Sequence, residues 1–451
     1  MKRPVSSDSD VEVSVKSTNI RRRNVRSLIA SLRGSISPPP RKKAALTDGN
    51  PNVAAIEAGD CQVKNHLEIL ADKLRNHCRP LNLSHPVPRL PIEDYVDLYR
   101  RNCHPTGRHF VIHQHDHPIA GPHYDLRLQF SETSSVSWSI MYGLPGDPNS
   151  ERLNRNATET RVHCLWNHLI ETASAKTGSL IIWDTGEYEI LPYENSGNTT
   201  GPQTDESGSD RSPSLCGDGD VQATSISDSA KLKQAFHSRK IRIRLHGTRL
   251  PKGYTVLLRM DKSTDFYRPV RKGPKRRRRL AANPQSPPPP VSTSDSDSES
   301  QQPISPSSRK EKAMTTEGQA TTPGSKKRTD DPSHFPQDEI DYQIRKNNAY
   351  PGSFNTIGSI HQRTWYLSMD RAGSGFEPQK IDLGDGRSKR LWVRSQYGRD
   401  SSTKKRGFEP FRVHGPQVES SVVTGRLGQD VLEDEGVQGF IARKGWRPVL
   451  R

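Results

Sequence analysis

HDHPIAGPHYDLRL, running from His115 to Leu128, is the stretch on which the reading of this chain turns. Its last six residues alternate polar and apolar side chains. In a β-strand this puts His123, Asp125 and Arg127 on one face and Tyr124, Leu126 and Leu128 on the other. With His115 or His117 just upstream, one hairpin-sized piece of chain offers two imidazoles, a carboxylate and a guanidinium. Imidazole and carboxylate are metal-ligand types, and the planar guanidinium is suited to clamping phosphate. Ranging such groups on one face, opposite an apolar one, costs desolvation unless that face is wet or holds an ion. The set therefore suits metal-assisted phosphoryl chemistry.

Working outward from this stretch, the apolar pattern keeps the period of strands: FVIH from Phe110, HYDLRLQF, VSWSIMYG, LIIWD and EYEIL, separated by Gly, Pro, Asn and Ser clusters. Two more strands are expected at Lys240 to Leu245 and Gly253 to Arg259, after a short helix around Leu232 to Phe236. In the first of them Ile241, Ile243 and Leu245 face one way and Arg242, Arg244 and His246 the other, as in a solvated strand or a wall that tracks a phosphate backbone. Leu67, Leu70 and Leu74, and then Ile92, Val96 and Tyr99, recur at helical spacing. The fold class expected is mainly β, a compact antiparallel β-barrel with short flanking helices and long disordered tails and linkers. Residues 61–262 form the expected barrel domain, interrupted by a Ser/Gly/Asp-rich disordered insertion at 195–228. A disordered basic tail (1–60), a disordered basic, Pro- and Ser-rich linker (263–337) and a partly folded C-terminal region (338–451) complete the organisation.

Only 30% of the 451 residues are hydrophobic, so much of the chain lies outside any packed core. A net charge of +17 favours a polyanionic partner, either nucleic acid or an anionic membrane surface. No apolar run approaches the roughly 20 residues that span a bilayer, and the N-terminal MKRPVSSDSD lacks an apolar signal segment. The expectation is an intracellular protein with no membrane partner. Arg271, Lys272, Lys275, Arg276, Arg277, Arg278 and Arg279 form a basic cluster of the nuclear-localisation type, which predicts a nuclear protein. The five cysteines are widely spaced and form no CxxC pair, which argues against a zinc finger or disulfide framework.

HFVIHQHDHPIAGPHYDLRLQF, followed by VSWSIMYG, LIIWDTGEYEI and KIRIRLHGTRLPKGYTVLLRM, resembles the 3′-phosphoesterase domain of bacterial DNA ligase D in a diverged, fungal-type form, across residues 88 to 262. The resemblance implies a manganese-dependent enzyme on a compact β-barrel. Such an enzyme trims a 3′-phosphate or 3′-terminal ribonucleotide from DNA ends, leaves a 3′-hydroxyl and serves DNA repair. It implies His115, His123 and Asp125 as the ligands of a divalent metal, Mn2+, with Arg127 gripping phosphate. His117 is a rival to His115, because the gap from His115 to His123 is longer than in the bacterial domain. RNATETRVH aligns with a segment that implies Arg155 as a second phosphate-binding arginine and His163 as a catalytic histidine. The chain departs from the family at Tyr142, where lysine is common, at Arg161, where an acid stands, at Asn167, near a tyrosine position, and in a shortened ASAKTG segment.

Two other readings use the same residues. A non-catalytic nuclear scaffold would bind DNA ends through basic tails by counterion release, and those tails could recruit DNA-repair proteins. His123 and Asp125 with a distant His163 or His168 also have the ligand types of an Fe(II) facial triad in an oxygenase, against which stands Arg127 on the same face. The chain carries no KxDG nucleotidyl-transfer motif.

Overall fold

Strand alternation along His115 to Leu128 becomes the wall of a barrel in the computed structural model. The structure describes residues 65–80, 87–193, 226–261, 337–382, 388–395 and 407–450, with positions 45–46, 53, 56 and 61–63 ahead of them. The tail expected over 1–60, the insertion at 195–228, the linker at 263–337 and the basic run Arg271 to Arg279 lie outside these residues, apart from a few positions at their edges.

The barrel is mainly β and closed, with eight antiparallel strands. These are β1 (His109–His117), β2 (Gly121–Gln129), β3 (Ser134–Met141), β4 (Asn154–Glu159), β5 (Gly178–Ile190), β6 (Lys240–Gly247), β7 (Thr255–Met260) and β8 (Thr364–Met369). Their order is β6-β7-β8-β4-β3-β2-β1-β5, and β5 pairs back onto β6 to close the ring. Inward-facing side chains fill it: Ile112, Tyr124, Leu126, Leu128, Trp138, Ile140, Ile243, Val256, Leu258, Trp365 and Leu367 are all fully buried. A closed barrel leaves no unpaired edge, and one row of large apolar residues per strand suffices to fill it.

Outside the barrel, helices α1 (His66–Asn76) and α2 (Ile92–Arg100) lay Leu70, Leu74, Tyr95, Leu98 and Tyr99 against Val111, Leu180 and Ile182 of β1 and β5. Helix α3 (Asp228–His237) starts with the Ser227 side chain accepting from the Ala230 amide. Its Leu232 and Phe236 join the barrel core, with the Phe236 ring 5.3 Å from that of Trp365. A short 3-10 helix, Leu165–Leu169, covers the outer face beside β1 and β2. No helix among the described residues is long and apolar enough to cross a membrane.

One boundary expected from sequence needs correction. The barrel does not end at residue 262, because β8 comes from the region beyond the linker. It pairs with β7 from Val256↔Met369 to Met260↔Trp365 and with β4 from Thr364↔Thr158 to Ser368↔Asn154. Glu159 fixes this docking from inside. Its carboxylate, fully buried, accepts from Arg363 Nη2 at 2.9 Å, Trp365 Nε1 at 2.5 Å and the Ile360 amide at 2.8 Å.

Residues 407–450 then strap the barrel. Val422 and Val423 enter the outer apolar cluster, and Glu419 accepts a 2.7 Å hydrogen bond from the buried Tyr124 hydroxyl. Arg426 reaches back to Glu171 in a buried ion pair of 2.9 Å. Removing one partner of a buried pair leaves the other charge uncompensated, so Arg426→Ala is expected to cost about 3–5 kcal/mol, read from denaturant unfolding. A cost below about 1 kcal/mol, the range of a surface pair, would contradict this packing.

Candidate metal centre

β1 and β2 form a hairpin in which His115 is directly opposite His123, and His113 directly opposite Asp125. Gly121 begins β2 with φ +80°, a conformation that favours glycine, and so turns the chain back. The outer face of the hairpin thus carries His113, His115 and His117 on one strand and His123, Asp125 and Arg127 on the other. The 3-10 segment lies over it, leaving His123, Asp125 and Arg127 between 3 and 6% exposed.

Each of the two imidazoles has one nitrogen committed to a backbone carbonyl, which can only accept. His115 Nε2 donates to Thr177 O at 2.7 Å, and His123 Nδ1 donates to Gly121 O at 2.8 Å. These bonds fix the tautomers, so that His115 Nδ1 and His123 Nε2 carry the lone pairs. Both atoms face Asp125, at 3.6 Å from Oδ2 and 3.6 Å from Oδ1 respectively. Ligand atoms of His115, His123 and Asp125 all lie within 4.8 Å of one another. A gap of 3.6 Å is too long for a hydrogen bond, yet two ligands each about 2.0–2.2 Å from a shared ion are separated by a similar amount.

Asp125 Oδ1 is buried and has no hydrogen-bond partner among the described residues. Burial alone would raise this carboxyl, but His123, His115 and Arg127 outweigh it and hold the group well below the usual carboxylate range. Burial lowers His123, which favours the neutral imidazole. An ionised carboxylate beside a neutral His123 is the protonation state that binds a divalent cation. The residues present therefore fit a metal.

His117 stands next to this group, its ring 5.4 Å from that of His115, but it has another task. Its Nδ1 accepts from the amides of Ile119 and Ala120, at 3.1 and 3.0 Å, and so ties the turn of the hairpin. With that lone pair taken, the proton sits on Nε2. His117→Ala is accordingly expected to lower metal affinity far less than His115→Ala in calorimetric titration; the reverse ranking would exchange the two roles.

Arg127 is held alongside. Its Nη1 donates to Asn167 O at 3.1 Å and its Nη2 lies 3.9 Å from Asp125 Oδ2. His163 lies on a two-residue strand, His163–Cys164, paired with β3 opposite Ser135. This places it on the same outer face as Arg127, and burial together with the Arg127 charge keeps it neutral. Arg155 is different. On β4 it shares the inward face with Ala157 and Glu159, and its guanidinium donates to Gly143 O at 3.2 Å and to Arg152 O. The structure does not bring it to Asp125, because the period of the strand sends it to the other side of the wall.

Of the departures from the family pattern, Asn167 supplies the carbonyl that holds Arg127. Tyr142 stacks with Arg152, 5.6 Å from its ring, and Arg161 lies over the Tyr350 ring at 5.7 Å. The residue that sequence reasoning passed over is His113, fully buried opposite Asp125, with Nε2 bonded to Ile170 O at 3.1 Å and a buried Nδ1 that has no partner among the described residues. Its signal was the same period-two spacing that exposed His115.

Residues 113–258 match the family model of the DNA Ligase D 3′-phosphoesterase domain. The phosphoesterase match opens at His113, takes in His115, His123, Asp125, Arg127, Arg155 and His163, and stops inside β7, short of β8 and the strap. It points to a 3′-phosphoesterase family, and so to a hydrolase. No curated protein matches the chain.

Four further imidazoles make the fold sensitive to acid. His109, His113, His163 and His168 are buried, and burial, the leading cause in each, pushes them down, His109 to about 3. The unfolded chain takes up these protons near pH 6.5 and the folded one does not, so stability is lost as pH falls below about 6.5, by about 1.4 kcal/mol per unit for each histidine. Melting temperatures are expected to fall steeply from about pH 6.5 to 5. A flat profile over that range would show that these rings are not held neutral.

Proposed function

We propose that the protein is a metal-dependent 3′-phosphoesterase that removes a 3′-phosphate or 3′-terminal ribonucleotide from DNA ends and leaves a 3′-hydroxyl for repair. The observation that carries this reading is the buried, unpartnered Asp125 Oδ1 facing the lone pair of His123, with His115 and Arg127 at the same carboxylate. His115, His123 and Asp125 would hold the ion, for which Mn2+ is proposed on the family resemblance and on the mixed imidazole and carboxylate donors. Bound there, such an ion supplies a Lewis acid for a phosphoryl oxygen and lowers the pKa of a coordinated water.

The chain's own residues do the rest. Arg127 presents planar donors to the charge that builds on the phosphoryl oxygens; anchored on Asn167 O and already desolvated, it needs little reorganisation. His163, neutral and on the same face, acts as a hydrogen-bond donor to the phosphoryl group or the leaving O3′. A water oxygen adds to phosphorus as the bond from phosphorus to O3′ breaks; the phosphoryl group keeps that oxygen, one of the water protons ends on O3′, and the DNA end is left as a 3′-hydroxyl. Arg155 has no part in this scheme, since it faces the barrel interior.

A net charge of +17 supports attraction to DNA, and the basic run Arg271 to Arg279 supports import into the nucleus. Replacing that run with glutamine is expected to leave a fluorescent fusion in the cytoplasm. The purified full chain with Mn2+ is expected to turn a 3′-phosphate primer into one that a polymerase extends. Folded wild-type protein inert with every divalent ion tried would overturn the proposal.

A further inference from the structure

The last stretch of the strap crosses the tip of the metal-bearing hairpin. Phe440 packs beside Ala173, Ile181, Val431 and Leu432, and its ring closes over Gly178 at the start of β5, where a Cβ would stand 3.0 Å from Phe440 Cε2. Further on, the aliphatic stem of Arg443 lies over Gly121 at the start of β2, with its Cδ 3.0 Å from the place of a Cβ. β1 runs between these two strands, so the strap passes from Phe440 to Arg443 over the end of β1, where Asp116 pairs with Ser179 and His117 with Gly121.

Period two fixes the side on which Arg443 stands. Gly121, His123, Asp125 and Arg127 alternate onto one face of β2, and Arg443 fills the space that a side chain at position 121 would take. It extends the row of His123, Asp125 and Arg127 by one place. Neighbours in such a row are about 7 Å apart, the length of roughly two nucleotide rises of about 3.4 Å along one DNA strand.

Arg443 is held there by oxygens that carry no charge. Its Nη1 donates to Ile119 O at 2.8 Å and to Ala120 O at 2.9 Å, the carbonyls of the same two residues whose amides donate to His117 Nδ1. Among the described residues no carboxylate pairs with Arg443, and its Nε and Nη2 make no hydrogen bond. From Gly436 to Arg451 the sequence has four basic residues and no acidic one, so nothing on its own segment offsets the charge. Nε and Nη2 form one edge of the planar guanidinium, the edge suited to bidentate grip of phosphate oxygens. Already anchored through Nη1, the side chain loses little further freedom when it binds.

We infer that Arg443 is a DNA contact supplied by the strap, gripping through Nε and Nη2 a backbone phosphate beside the 3′ end held at the metal centre. This rests on reading that centre as a DNA-end site. The contact comes from beyond the matched residues 113–258 and makes substrate binding depend on the strap as well as on the barrel.

The test is fluorescence anisotropy on the full chain in EDTA, where nothing turns over, with a short labelled duplex ending in a 3′-phosphate. Arg443→Gln is expected to weaken binding about tenfold and to reduce the salt slope by about one, the share of a single phosphate. Arg443→Lys, which keeps the charge, is expected to keep the slope. Both variants are expected to melt, and to bind Mn2+ in calorimetric titration, as wild type does, because water can replace Arg443 at the two tip carbonyls. Wild-type DNA affinity and slope in the glutamine variant would overturn the inference. So would a loss of DNA affinity matched by an equal loss of Mn2+ affinity, which would make Arg443 only a brace of the hairpin tip. Because the readout is binding, a protein whose DNA affinity depends on Arg443 yet which hydrolyses nothing would refute the proposed reaction and leave this contact standing.

Discussion

A chain cut after Asp261 is expected not to fold, although the cut keeps every residue of the matched domain. Without β8, strands β7 and β4 are left with open edges, and a barrel with two open edges exposes its core and its unpaired amides. Trp365 and Leu367 vanish from the interior, where loss of a single large side chain costs about 3–5 kcal/mol. Glu159 would sit in that interior without Arg363 or Trp365 Nε1, and an uncompensated buried charge costs a further 3–5 kcal/mol or so. Against a whole-domain stability of about 5–15 kcal/mol, these losses leave no margin. Circular dichroism and melting of residues 1–261 should show no cooperative transition, and co-expression with residues 337–450 should restore one. A cooperative transition in the cut chain alone would mean that β8 is dispensable.

The second large effect lies at the metal centre. Asp125→Asn preserves shape and removes the charge, and it is expected to lower turnover by about a thousandfold and to abolish thermal stabilisation by Mn2+. Metal-free stability should fall as well, because His123, His115 and Arg127 outweigh burial and together favour the ionised carboxylate in the folded chain. A purely structural Asp125 would show the stability loss alone: the asparagine variant would keep its activity and its stabilisation by Mn2+.

The hairpin was legible because its two faces differ in kind. Tyr124, Leu126 and Leu128 fill the barrel, and His123, Asp125 and Arg127 line the site, so period two alone separates them. β4 was hidden. NRNATE has one apolar residue, Ala157, and its inward-facing Arg155 and Glu159 are satisfied by Gly143 O and by Arg363, partners that no local pattern reveals. The same concealment explains why Arg155, aligned by motif with His163, turns out to face the other way. β8 was visible as an aromatic segment, TWYLSM, but its neighbours β7 and β4 are about a hundred and two hundred residues away in sequence, and such pairings leave no local trace. The choice between His115 and His117 depended on which nitrogen is already committed to backbone, something only three-dimensional contacts disclose.

Anomalous diffraction from crystals of the full chain soaked in Mn2+ examines the metal centre most directly. The expected result is one ion about 2.0–2.2 Å from His115 Nδ1, His123 Nε2 and an Asp125 oxygen, with Arg127 alongside. Density at His117 Nε2 instead of His115, or well-ordered protein with no ion between these three side chains, would contradict it.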